Sequence, residues 1–127
     1  MADFNFELVS PERVLMSESV EHIVLPGSEG QLGVMAGHSP AIVTLKPGVI
    51  NVLSGSTVTR RIYVRGGFAE INAKDVTVLA EHALDIEAAD YKVIAAELAS
   101  AEKDLAEAAD DDARYIAQSA IDSLKSI

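Results

Sequence analysis

At 127 residues, with 49 % apolar and 24 % charged side chains, the chain is long enough for one sizeable core with a small appendage and too short for a large multidomain enzyme. Its formal charge of -10 argues against direct contact with nucleic acid or anionic lipid headgroups, both of which reward Lys and Arg. The absence of cysteine removes disulfides, thiolate metal sites and Cys nucleophiles. No apolar run approaches the roughly 20 residues that cross a bilayer. The first ten residues lack the basic start, apolar stretch and small-residue cleavage site of a secretory signal, so a cytoplasmic placement is expected, with any membrane association passing through a protein partner.

Along the chain, Phe4, Phe6 and Leu8 alternate with Asn5 and Glu7, the period of a strand with one wet face. Further strands are expected from Val20 to Leu25, ending at Pro26-Gly27, and from Val49 to Leu53, ending at Ser54-Gly55-Ser56. Val58 to Val64, ending at Gly66-Gly67, and Val76 to Ala80 complete the series. Many short strands with no helical crossover between them predict an antiparallel sandwich or barrel. All eight glycines and all four prolines lie at or before Gly67, so nothing of that kind interrupts the rest of the chain.

Near residue 85 the pattern changes. Residues 85–127 hold twelve alanines, and four basic residues stand against eleven acidic ones, a net of -7. Tyr91, Ile94, Leu98, Ala101, Leu105 and Ala108 step by three and four, one stripe of a helix. Asp110, Asp111 and Asp112 interrupt the stripe and suit a turn and a helix start, because aspartate caps N-termini and favours the positive end of the helix dipole. Ala113, Ala117, Ala120, Leu124 and Ile127 repeat the stepping. The fold class is therefore α+β, mainly β: an antiparallel β-sandwich over 1–84, then an antiparallel two-helix hairpin over 85–127 that leans on the sandwich or on a partner.

Signs of chemistry are few. His22, His38 and His82 are too far apart in sequence to form a metal pair on one element, and no metal site is expected. The run Pro26-Gly27-Ser28-Glu29-Gly30-Gln31-Leu32-Gly33 lacks both the Gly-Lys-Ser/Thr ending of a P-loop and a GxGxxG opening a helix, so it reads as a tight β-turn. Gly66-Gly67 reads as a bulge or turn that needs unusual dihedrals. Ser10, Ser17, Ser28 and Ser39 have no GxSxG context. Neither catalysis nor a cofactor is required by any of these residues.

Six motifs in order carry a resemblance. Phe6-Glu7-Leu8-Val9-Ser10-Pro11-Glu12, Pro26 to Val34, Gly37-His38-Ser39-Pro40, Leu45-Lys46-Pro47-Gly48, Gly66-Gly67-Phe68 and Val76-Thr77-Val78-Leu79-Ala80 precede an alanine-rich hairpin. Together they resemble the epsilon subunits of bacterial F-type ATP synthases, over nearly the whole chain. The resemblance implies a non-catalytic rotor subunit in the central stalk. Its sandwich would clamp the foot of the gamma subunit and rest on the c-ring, with transient contact to the alpha and beta subunits, at the cytoplasmic face of the inner membrane. It implies that Glu29, Gly30, Gln31 and Leu32 face the c-ring and that His38, Ser39 and Pro40 face gamma.

Two departures from the family pattern stand out. Gln31 stands where glutamate is common, and Met35-Ala36 replaces an aromatic or aliphatic residue followed by proline. In some relatives the hairpin binds ATP through an Asp-x-x-Arg-Ala motif; here Asp90 matches, but Val93 and Ile94 stand where the arginine and alanine would be. Without the guanidinium no nucleotide site is expected. At net -7 the hairpin also suits an acidic partner surface poorly, so weak inhibition is expected. An alternative of a different class is a free-standing β-sandwich adaptor whose acidic hairpin recruits a helical partner, separated from the first reading by co-purification. A small cupin-like enzyme would need converging histidines and carboxylates, and metal analysis separates that one.

Overall fold

Alternation of apolar and polar side chains sets the first strand. In the computed structural model, which describes residues 3–127, β1 (Phe4–Val9) buries Phe4, Phe6 and Leu8. The chain then forms β2 (Val14–Val20), β3 (His22–Gly27), β4 (Gly30–Met35), β5 (Ala41–Ser54), β6 (Thr57–Ile71), β7 (Asp75–Leu79) and β8 (Ala83–Asp85). These strands make one hydrogen-bonded sheet in the order β2-β1-β7-β6-β5-β3-β4, with β8 on β6. Neighbours are antiparallel except β1 and β7, which run parallel from Asn5↔Asp75 to Val9↔Leu79. The crossover that a parallel pair requires is supplied by all the strands lying between them in sequence.

The β5–β6 ribbon folds this sheet into two layers. It pairs from Ala41↔Ile71 to Ser54↔Thr57, with one register shift between Val52 and Leu53. Before Gly66-Gly67 the residues of β6 that face the sandwich core are Ile62 and Val64, with Tyr63 buried on the opposite face; after it they are Ala69 and Ile71. Even positions thus give way to odd ones, a change of face that an ordinary strand cannot make. Gly66 and Gly67 make it at φ +102° and +130°, dihedrals that only glycine adopts cheaply. A Cβ on Gly67 would lie 2.1 Å from the Leu79 carbonyl oxygen, so the backbone of β7 also occupies its space. On one side of this kink β6 pairs β8, through Ile62, Tyr63 and Val64. On the other it pairs β7, through Phe68 to Ile71. Inward side chains of both layers form a single core that includes Phe6, Leu8, Ile23, Leu25, Ile50, Ile62 and Val78.

Several strand limits differ from the expectation, each for a visible reason. The stretch from Val20 to Leu25 is broken at Glu21, which leaves the ladder and accepts hydrogen bonds from Ser54 Oγ (3.3 Å) and the Gly55 amide (3.0 Å), fastening the β5–β6 turn. β3 continues through Pro26 and Gly27 because its register with β5 is interrupted between Val24 and Gly27, where a residue with no N–H does no harm. β6 passes through Gly66-Gly67 instead of ending there, although the unusual dihedrals are as expected.

The helices are α1 (Tyr91–Glu107) and α2 (Asp111–Lys125). Asp90 caps α1, accepting from the Lys92 amide at 2.8 Å. Asp110 caps α2, accepting from the Ala113 amide at 2.8 Å, and Asp111 and Asp112 occupy the first turn of α2. The aspartate run is therefore the turn and helix start that the sequence indicates. The two helices pack on the outer face of the layer containing β8: Ala101, Ala120, Ile121 and Leu124 close over Tyr63 and Ile86, with Val49, Leu84, Leu98, Leu105 and Ile127 at the rim. Burial pushes the Tyr63 phenol up to about 12, with the Glu97 charge as the next cause. Tyr91, placed by its spacing on the apolar stripe, is 83 % exposed. Tyr91 is the first residue of α1, ten residues ahead of the helix's buried Ala101.

Candidate partner-docking faces

Three surfaces stand out, and the first is the tip of the β3–β4 hairpin. Gly27 pairs with Gly30 across the two-residue turn Ser28-Glu29. Gly30 takes φ +132°, and a Cβ on Gly27 would meet the Gly30 carbonyl oxygen at 2.6 Å, so both glycines are needed to close the turn this tightly. The turn presents Glu29, Gly30 and Gln31 to solvent. Leu32 is only half exposed and packs on the sandwich core, where it braces the tip more than it extends it.

The second surface is the loop from β4 to β5. Gly37, at φ +85°, donates its amide to the Ala73 carbonyl at 2.8 Å, tying this loop to the one between β6 and β7. The His38 amide donates to the Met35 carbonyl (3.2 Å), and His38 Nδ1 lies 2.7 Å from the Ser39 carbonyl oxygen, a contact that places a proton on Nδ1. Ser39 and Pro40 are exposed. β4 separates this loop from the hairpin tip, and its six residues span about 20 Å at the usual rise per residue. The two candidate patches therefore lie at opposite ends of one strand.

The third surface was not singled out from the sequence. Successive register partners Val14↔Val9, Val9↔Leu79, Leu79↔Phe68 and Phe68↔Thr44 form a row across five strands on the outer face of the layer that carries no helices. Val14, Phe68 (45 % exposed) and the neighbouring Ile42 (76 % exposed) are large apolar side chains in water. Ile42 follows Pro40 by two residues, so the loop and the row form a continuous surface. Exposed apolar side chains grouped on one side of a sandwich are the kind of surface that a protein contact would bury. Strand alternation places Ile42 and Phe68 opposite the buried positions, yet their grouping depends on which strands pair, and the sequence does not state that.

The remaining candidate residues have local roles. Asp90 spends its carboxylate on the α1 cap, and Val93, exposed, and Ile94, half-buried, bring no guanidinium to that turn. Among the described residues, no group of three His, Asp or Glu side chains is placed to hold a metal ion. No helix among them is long and apolar enough to cross a membrane.

The family model described as ATP synthase, Delta/Epsilon chain, beta-sandwich domain matches residues 3–86. The ATP synthase epsilon chain of Parvibaculum lavamentivorans is 47 % identical over 123 residues, covering 97 % of this chain and 93 % of that one. The epsilon chain of Mesorhizobium japonicum is 44 % identical, covering 98 % of this chain and 92 % of the relative. A chain in the mitochondrial ATP synthase of Euglena gracilis, determined as the OSCP/F1/c-ring assembly, superposes with a TM-score of 0.71 at 24 % identity, over 98 % of this chain and 79 % of that one. At that identity the likeness is one of fold.

Proposed function

The chain belongs to the family of ATP synthase epsilon chains, non-catalytic stalk subunits of that complex, and we propose that its sandwich is a coupling joint in the rotor between a proton-driven c-ring and a gamma shaft. In this role it makes no covalent bond. The supporting observation is the separation of two exposed patches by the length of β4 on a body whose layers share one core. A joint must grip two partners at once without shearing, and non-local strand pairing across a packed core resists shear.

Glu29, Gly30, Gln31 and Leu32 then meet the c-ring, where the neutral side chain of Gln31 offers hydrogen bonds without charge. His38, Ser39 and Pro40 lie toward gamma, and the Ile42 and Phe68 face extends that contact. Residues 1–84 bind both partners, and residues 85–127 form a regulatory unit. The location is peripheral, at the cytoplasmic face of a bacterial inner membrane and reached through the complex. The chain is free of cysteine, so single Gln31→Cys and His38→Cys variants carry one thiol each. A short cross-linker is expected to join the first to a c subunit and the second to gamma; the reverse pattern, or no adduct at either, contradicts the assignment.

The hairpin is a weak brake in this reading. Its net charge of -7 opposes stable contact with acidic segments of the alpha and beta subunits, and Val93 and Ile94 leave Asp90 without a partner for nucleotide phosphates. Removing residues 86–127 from the assembled complex is expected to change ATP hydrolysis by less than roughly twofold, because a like-charged contact contributes little. A large gain on truncation contradicts it.

A further inference from the structure

Among the described residues, two polar contacts join α1 to the sandwich besides the apolar packing. Arg65 of β6 donates to Ser100 Oγ at 2.9 Å and to Asp104 at 3.2 Å, both on α1. His82, between β7 and β8, places Nε2 3.0 Å from Glu97 Oε1, also on α1. The second point is the more unusual. The Glu97 side chain is 12 % exposed and that of His82 48 % exposed. Among the described residues, Glu97 Oε1 is the buried side-chain oxygen that no well-aligned hydrogen bond reaches. A carboxylate oxygen withdrawn from water needs compensation. Where alignment is poor the compensation is charge, which an imidazolium supplies and a neutral imidazole does not. Histidine is the side chain that changes charge between about pH 5 and 8.

We propose that the His82–Glu97 contact makes docking of the helical hairpin on the sandwich pH-dependent, tighter on the acid side of neutrality and looser on the alkaline side. The groups around it agree with that direction. From β6 come Arg65 and Tyr63; from α1 come Glu97 and Asp104; Glu81 adjoins His82 in its own connection. The guanidinium of Arg65 is held by Asp104, and the side chain paired with Glu97 is His82. Tyr63, pushed up to about 12, stays neutral throughout the range. A charged imidazole compensates the withdrawn Glu97 oxygen and a neutral one does not, so the contact is expected to hold less firmly as the pH rises. This is a property of the chain alone, and it stands or falls separately from any rotor partner.

The test is hydrogen exchange of the α1 amides in the full chain, corrected for the intrinsic pH dependence of exchange, at about pH 6 and about pH 8. Opening of α1 is expected to rise roughly twofold to fivefold at the higher pH, the scale of a half-exposed ion pair. His82→Gln and Glu97→Gln should abolish the pH response, and His82→Lys, charged at both values, should give a docked hairpin at both. Amides of β1 and β7 report whether each variant is folded, so loss of the sandwich is not mistaken for undocking. Equal opening of the unmodified chain at both pH values overturns the proposal, as does a pH response that survives in His82→Gln.

Discussion

Replacing Gly67 with alanine is expected to destabilise the chain by about 3 kcal/mol or more, a large part of the roughly 5–15 kcal/mol that holds a domain together. Two costs combine. The backbone sits at φ +130°, outside the regions open to a residue with a Cβ, which alone costs about 1–3 kcal/mol. The new methyl would also stand 2.1 Å from the Leu79 carbonyl oxygen, which belongs to the β7 backbone and cannot swing aside; such overpacking costs about 1–3 kcal/mol more. Because Gly66-Gly67 is where β6 changes its buried face, the strain falls on the joint between the layers. Gly55→Ala is the comparison. Gly55 also has positive φ, at +61°, but nothing lies within 4 Å of its missing Cβ, so about 1 kcal/mol is expected. Urea midpoints for the two variants decide the matter: similar losses would mean that the close approach to β7 is unimportant.

How far the fold could be read in advance depends on what kind of signal each segment carries. Phe4, Phe6 and Leu8 alternate cleanly and are buried, and Asp110 caps α2 after the apolar stripe breaks, so β1 and the hairpin turn are legible from local pattern. β2 is not, because Val14 and Leu15 are exposed on an edge strand and show no amphipathic rhythm. Gly66-Gly67 looks like a strand end because glycine usually punctuates; only the pairing with β7 and β8 shows that the strand continues. Ile121 is not legible as a core residue, because the stepping through Ala117, Ala120 and Leu124 already fills one face and its burial comes from contact with the sandwich. The hairpin tip and the His38 loop stand out as turn-rich runs. The apolar row does not, since Val14, Leu79, Phe68 and Ile42 are far apart in sequence and meet only through register.

That row gives the second large effect. Ile42→Asp together with Phe68→Asp is expected to weaken association with gamma by roughly a hundredfold or more, while stability changes by about 1 kcal/mol or less at these outward strand positions. Both side chains already stand in water, 76 % and 45 % exposed, so the free chain loses little by their removal. In the complex they are the large apolar groups best placed for burial, and a buried, unpaired carboxylate in their place adds its own desolvation cost. Unchanged melting with lost association is the expected pair of results; unchanged association would move the gamma contact elsewhere on the sandwich.

The central claim is that this chain works as a joint held by other subunits, and tagging it in its native cell tests that most directly. Recovered from membranes washed at low ionic strength, the tagged chain should bring down gamma and the c-ring with the catalytic subunits, and the doubly substituted chain should not. Recovery of the unmodified chain without gamma, under conditions that leave the rest of the complex intact, would contradict the account.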